Sequence, residues 1–389
     1  MTRILLPTTG GKSEIYEMRD PSPFASVNDR PLARTAFAAA HVVCSAFDTG
    51  APWETARIDM ESTMSFRRHL WSLGFGVAEV MDTAQRGMGL DWEGAKEIVR
   101  NTMAEAKRVD NAEVACGVGT DQLGAGAHSL DDILRAYEEQ LEFIEGAGAT
   151  PILMASRAMV ACNARPDDYA RIYSRLISAS RRKVILHWLG EMFDPALAGY
   201  WGFGDHDQAM DFLIDFIGAH ADKIDGIKIS LLDKSKEIAM RRRLPVSVKM
   251  YTGDDFNYPE LIAGDETGYS HALLGIFDPI APAAATALAA LADGDRTRYF
   301  DIMNPTLPLA RLIFEAPTQF YKAGVVFLAW LNGHQKHFGM LGGMQSSRSV
   351  MHYAELFRLA DQAGLFRDPD TAAGKMKVFL QTHGMEAVS

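Results

Sequence analysis

The sequence predicts an α/β fold, a (β/α)8 TIM barrel with additional C-terminal helices, and three observations carry that reading. Short β-rich apolar runs alternate with amphipathic segments from residue 42 to residue 275. Eight such runs occur, the number that closes a parallel barrel. Each is continuously apolar, as a strand covered on both faces should be. A doubly wound open sheet is the competing architecture, and the absence of a phosphate-cradling glycine fingerprint after the first run weighs against it.

Residues 1–40, with "DPSP" and "NDRP", read as an irregular N-terminal extension. The barrel is expected over 41–296, with strands in "VVCSAFD" (42–48), "GVAEVMD" (76–82), "AEVACGVG" (112–119), "TPILMAS" (150–156), "KVILHWLG" (183–190), "GIKIS" (226–230), "VSVKMYTG" (246–253) and "GYSHALLG" (268–275). Helical patterns lie between them, as in residues 59–74, 129–148 and 207–222. Asp59 and Ser129 suit helix starts, and the glycines after Glu145 suit a helix end. Residues 297–389 read as a helical extension packed beside the barrel, with "NPTLPLARLIFEAP" and "SVMHYAELFRLADQAGL" its clearest segments. No stretch rich in Pro, Gly or Ser separates a second domain.

Composition narrows the function. A chain of 389 residues with 48% hydrophobic and 23% charged residues can bury a large core. Fifty acidic against 39 basic residues give a net charge of −11, which repels phosphate backbones and anionic membranes, so neither nucleic acid nor membrane is an expected partner. Cys44, Cys116 and Cys162 are far apart and fit buried thiols in a reducing compartment. The N-terminus lacks a signal-peptide core and no apolar run approaches the roughly 18 residues that span a bilayer, so the expected location is cytoplasmic.

Barrel chemistry collects where strands end at their carboxyl side. The candidates there are Asp48, Asp82, Thr83, Ser156, His187, Lys228, Gly253, Asp254, Asp255, Ser270 and His271. Lys228 is the most informative, because burial disfavours a charged amine and leaves a neutral, nucleophilic form that can attack a carbonyl. A structural role is equally open at this point: pairing with Asp225 or Asp254, or snorkelling to the barrel mouth. His187 suits proton relay, although histidines among apolar neighbours are commonly satisfied core residues. "TGDD" (252–255) also suits a plain strand-ending turn.

The order of these pieces resembles the dihydrodipicolinate synthase and N-acetylneuraminate lyase superfamily, in particular its divergent branch of uncharacterised proteins labelled DUF993, from about Val42 to Leu365. "GIKIS" is similar to the segment that carries the superfamily's Schiff-base lysine, and "YTGDD" to its Ser-Gly-Asp-Asp turn. The resemblance implies that Lys228 forms the imine and that His187 stands in the place of the catalytic tyrosine. It implies that Thr83 matches the first threonine of a carboxylate-gripping Gly-Thr-Thr motif, with Ala84 replacing the second. "ASRAMVACN" (155–163) has no tyrosine pair and "GEMFDP" (190–195) no arginine where the synthases have them, so dihydrodipicolinate synthesis itself is not expected.

The expected activity is therefore a class I lyase, an aldolase or hydro-lyase acting on a small oxo-acid or oxo-sugar through an imine on Lys228. Asp82, Thr83, Gly253, Asp254, Asp255, Ser270 and His271 would bind substrate, no cofactor or metal is called for, and a homo-oligomer is expected by analogy. Two rivals stand beside this reading. One is a metal-dependent sugar isomerase, epimerase or aldolase using Glu79, Asp82, His187, Asp254 and His271. The other is a non-catalytic ligand-binding barrel. His334 and His337, in the glycine-rich segment 332–348, are expected to border the pocket or a subunit contact rather than bind metal.

Overall fold

The computed structural model describes all residues except 1, 25–29, 48, 52, 54–56, 125 and 386–389, so Asp48 lies outside the described residues. An antiparallel hairpin of β1 (Arg3–Thr8) and β2 (Lys12–Glu17) precedes the barrel. Eight parallel strands then close on themselves: β3 (Ala36–Ala39), β4 (Gly76–Glu79), β5 (Val114–Val118), β6 (Thr150–Leu153), β7 (Val184–Leu189), β8 (Ile224–Ser230), β9 (Lys249–Thr252) and β10 (His271–Leu274). Closure is made by β10 against β3, with Leu273 opposite Phe37.

The first barrel strand differs from the sequence reading. It is the alanine-rich Ala36–Ala39, inside the span expected to be an irregular extension, while Cys44 of the run 42–48 makes only an isolated bridge to Ile58. Alanine has low strand propensity, so the β-branched pair Val42–Val43 outweighs it in a sequence pattern. In the barrel the small side chains are favoured by position, since Ala39 points into a crowded interior. The hairpin is a second regular piece of 1–40, tied to the C-terminal helices by Tyr16, which donates to Asp361 Oδ2 at 2.8 Å, and by Arg358, which donates to the Pro7 carbonyl at 2.8 Å, while residues 18–24 and 30–35 carry neither helix nor strand, as expected. Six of the other seven strands fall within the expected runs, and β8 begins two residues before its own.

Two apolar layers explain the strand sequences. Phe37, Ala39, Ala78, Met81, Ala115, Ile152, Met154, Ile185, Tyr251 and Leu273 form a core of their own inside the barrel. Val77, Leu186, Ile227 and Ile229 belong to the larger core between strands and helices. Because side chains alternate along a strand, Ile227 and Ile229 face the helices and Lys228 faces the barrel interior. The expected caps are made: Asp59 accepts from Ser62 N at 3.0 Å, Ser129 and Asp132 form a capping box, and Gly148 ends its helix at φ 94°.

After β10 the chain is helical. The fully buried helix Tyr321–Leu331 packs among Leu307–Ile313, Val350–Gln362 and Pro369–Thr382. Its first residue, together with Phe314, covers the carboxyl end of the barrel. None of the three cysteines is in a disulfide, and no helix among the described residues is long and apolar enough to cross a membrane.

Candidate active site

Lys228 sits in mid-barrel on β8, in register with His187 on β7 and Tyr251 on β9. It is 7% exposed, and among the described residues its Nζ has neither a hydrogen bond nor an ion pair. Burial pushes its pKa down, opposed by the charges of Asp82 and Asp255. The path of its side chain is cleared by Gly253, where a Cβ would stand 2.7 Å from Lys228 Cε and 2.3 Å from Ser230 Oγ. Both distances are far inside van der Waals contact.

Lys228 opens into a small chamber at the carboxyl end of the barrel, lined also by Asp82, Thr83, Ser230, Asp255 and Tyr321. Its volume is about 10 Å³, roughly the room of one water. The roof is aromatic: Phe314 stacks on Tyr321 with centroids 4.5 Å apart, and Phe193 meets both edge-on at 6.2 and 6.3 Å. The floor of the roof is held by the Tyr321 hydroxyl, 3.0 Å from Thr83 Oγ1.

Asp255 enters from the turn after β9, where its Oδ1 accepts the Ile276 N–H at 3.0 Å. Burial raises its pKa to about 7, against the lowering effects of Lys228 and of that N–H. A carboxyl that exchanges its proton near neutrality therefore faces an amine whose charge is disfavoured. The turn that brings in Asp82 and Thr83 is sharp. Val80 just before it has φ 46°, a costly conformation for a β-branched residue, and Gln85 after it has φ 64° and donates to the Leu341 carbonyl at 2.8 Å.

The sequence matches, over residues 4–385, the family described as Protein of unknown function (DUF993). This chain belongs to the DUF993 family. Solved structures give the same fold at low identity. A putative dihydrodipicolinate synthetase from Pseudomonas aeruginosa has TM-score 0.63 at 14% identity, covering 85% of this chain and 99% of that one. YagE, a prophage protein of the dihydrodipicolinic acid synthase family from E. coli K12 in complex with pyruvate, has TM-score 0.62 at 15% identity, covering 91% and 99%. Dihydrodipicolinate synthase from Thermotoga maritima has TM-score 0.63 at 13% identity, covering 85% and 99%. No curated protein matches the sequence.

Within this DUF993 barrel the residues singled out by sequence separate into three groups. Lys228, Asp82, Thr83 and Asp255 line the chamber, and Gly253 packs against the lysine stem. His187 and Asp254 stand one step back. His187 Nε2 lies 3.2 Å from Ser230 Oγ, its Nδ1 is buried without a partner among the described residues, and burial with the nearby Lys228 charge holds the ring well below its usual pKa. Asp254 folds its own turn, accepting from Phe256 N at 2.8 Å, Asn257 N at 3.1 Å and Asn257 Nδ2 at 2.8 Å.

Ser270 and His271 are at the opposite end of the barrel, which corrects the expectation that they bind substrate. His271 is the first residue of β10, not the last, and its Nδ1 accepts from Thr35 N at 3.0 Å beside the entry to β3. Ser270 donates to Glu237 at 2.6 Å. The proposed metal donors likewise do not converge. Glu79 is held by Arg67 through bonds of 2.7 and 2.9 Å and by Thr102 at 2.6 Å, and no group of three or more His, Cys, Asp or Glu among the described residues can hold a metal. His334 and His337 are not stacked on one helical face; they lie in turns, His334 against His69 and His337 accepting from Gly339 N.

Tyr321 and Ser230 escaped the sequence reading. Tyr321 comes from a helix far along the chain, and no pattern ties "FYKAG" to the barrel mouth. Ser230 was legible in principle: it follows Lys228 by two positions on the same strand and so shares its inward face. Lys322, next to Tyr321, is a second buried lysine, pushed down to about 8 by burial, with Met88 Sδ at 3.6 Å.

Proposed function

We propose that this chain is a class I lyase, an aldolase or hydro-lyase that binds a small oxo-acid or oxo-sugar as an imine on Lys228. The observation that carries the reading is a lysine inside a barrel, uncompensated by any ion pair among the described residues, opening into a chamber lined by exchangeable protons. Neutral Nζ adds to the substrate carbonyl, and the carbinolamine loses water to give a protonated imine. That cation accepts the electron pair released when the adjacent carbon loses a proton or breaks a carbon–carbon bond, and the enamine so formed can return the pair to expel a hydroxide, protonated as it leaves, from the next carbon. No cofactor enters the scheme.

Asp255 is the natural proton carrier for carbinolamine collapse, since its pKa of about 7 lets it both give and take a proton. The Thr83–Tyr321 hydroxyl pair provides a second exchange path at the roof, and His187 reaches the chamber through the Ser230 hydroxyl. Asp82 places a negative charge near the imine cation. The pyruvate in the YagE complex supports an oxo-acid as one substrate class. Dihydrodipicolinate synthesis itself is not proposed, because the tyrosine pair and arginine of the synthases are missing. A chamber of about 10 Å³ admits no such substrate as it stands, so Phe193, Phe314 and Tyr321 must swing aside for entry.

Reductive trapping tests the reading. Protein incubated with pyruvate, longer 2-oxo-acids and oxo-sugars, then treated with borohydride, should gain the mass of one reduced adduct with at least one of them. Failure across the whole set, under conditions where a control imine-forming enzyme traps, would remove it.

A further inference from the structure

The turn that brings Asp82 and Thr83 into the chamber is held by two ion pairs, one fully buried and one nearly so, that the imine chemistry does not use. It starts at Val80, directly after β4, in the φ 46° conformation that a β-branched residue adopts only where its surroundings impose it. Both peptide groups of Val80 are tied to charged side chains. Its N–H donates to Glu79 Oε1 at 3.0 Å, and Glu79 is itself fixed by Arg67 of the helix Met60–Ser72. Its carbonyl accepts from Arg86 Nη1 at 3.1 Å.

Arg86 is 6% exposed, and each nitrogen of its guanidinium is engaged. Nη1 also reaches the Gly117 carbonyl at 3.4 Å, Nε donates to Asp121 Oδ2 at 2.8 Å, and Nη2 donates to Asp121 Oδ1 and, at 2.9 Å, to Gln140 Oε1. Gln140, on the helix Leu130–Ala147, is fixed in turn: its Oε1 accepts the Gly119 N–H at 2.7 Å and its Nε2 donates to Asp121 Oδ1 at 3.0 Å. Gly117 of β5 leaves the room this needs, since a Cβ there would stand 2.7 Å from the Val80 carbonyl oxygen. A planar fork with five donors serves all these acceptors at once, which the point charge of a lysine cannot do. Met81, between Val80 and Asp82, is locked into the inner core of the barrel. The direction of the Val80 peptide therefore sets where Asp82 and Thr83 enter the chamber.

We infer that Arg86 is a positioning residue of the Lys228 site: by holding the Val80 carbonyl it fixes the strained turn that sets Asp82 and Thr83 beside the lysine. The inference rests on the imine assigned to Lys228, because Arg86 acts on the amine through Asp82. The charges of Asp82 and Asp255 favour protonated Lys228, and a protonated His187 would oppose it. Loosening the turn weakens the contribution of Asp82, so Lys228 should lose its proton at lower pH.

Arg86→Lys tests the assignment through two readouts. The first is the pH dependence of cyanoborohydride trapping with whichever of pyruvate, longer 2-oxo-acids and oxo-sugars traps best. The rising limb of the trapping rate should move to lower pH by about half a unit or more. Asp82→Asn should move it likewise, and the double variant should move it no further than Asp82→Asn alone. A role confined to stability would leave the limb in place. The second readout needs no lysine chemistry: hydrogen exchange of the backbone amides over residues 80–90 should quicken about tenfold or more in Arg86→Lys, with β7, β8 and β9 unchanged. Should Arg86→Lys not fold, Asp121→Asn, which keeps the guanidinium but weakens its anchor, should give smaller changes in the same directions. An unmoved limb, a double-variant shift equal to the sum of the single shifts, or exchange over 80–90 at the wild-type rate would each overturn the inference. If the wild-type protein traps none of the compounds, the imine reading fails, and the exchange measurement alone decides whether Arg86 holds the turn.

Discussion

Gly253→Ala is the substitution whose effect can be worked most directly from the structure. The added Cβ would meet Ser230 Oγ at 2.3 Å, the Ile229 carbonyl oxygen at 2.6 Å and Lys228 Cε at 2.7 Å. Ser230 can rotate away only by leaving His187 Nε2, at a cost of about 1 kcal/mol. The Ile229 carbonyl cannot retreat, because it accepts the Gly253 N–H at 2.8 Å across the β8–β9 seam. Lys228 must then abandon its path, and overpacking of this kind costs about 1–3 kcal/mol. Urea denaturation at unchanged m-value should show that loss, and borohydride trapping should fall about tenfold or more, the factor that about 1.4 kcal/mol of misplacement carries. An alanine variant with native stability and native trapping would refute the packing of Lys228 against Gly253.

Tyr321→Phe keeps the aromatic roof but removes the bond to Thr83 Oγ1; it should cost about 0.5–1.5 kcal/mol in denaturation and slow trapping by more than that loss alone explains. Asp255→Asn addresses pH. The folded protein holds the Asp255 proton up to about pH 7, whereas the unfolded chain releases it near pH 4. Folded protein thus binds more protons across that interval, and stability should fall as pH rises through it. Glu237, raised by burial to about 8, adds a slope of the same sign. Asp255→Asn should therefore flatten the decline between about pH 4 and pH 7 without abolishing it above, as measured by melting temperature against pH. Ser230→Ala should leave trapping at Lys228 intact while slowing turnover, because it cuts His187 off from the chamber.

Much of the architecture was legible because period-two burial and strand spacing are local signals. Ile227 and Ile229 announced a buried strand, and alternation alone put Lys228 on the other face. Ala36–Ala39 hid because its fitness for the barrel lies in small volume, which propensity does not register. His271 and Ser270 misled for a related reason: an apolar run fixes a strand but not which of its ends bears the polar residues when the boundary is off by two or three positions. "TGDD" held both of its meanings, with Asp254 closing the turn and Asp255 entering the chamber. Tyr321 reaches the chamber through contacts between distant segments, and nothing in the order of residues marks it.

The central claim is that the Lys228 amine is the one that bonds to substrate carbon. Peptide mapping of the borohydride-reduced adduct tests it most directly, because Lys322, next in sequence to Tyr321 of the chamber, is a second buried amine, lowered to about 8. The account predicts the added mass on the peptide containing Lys228 and no adduct in Lys228→Met. An adduct on Lys322, or one that persists unchanged in Lys228→Met, would contradict it.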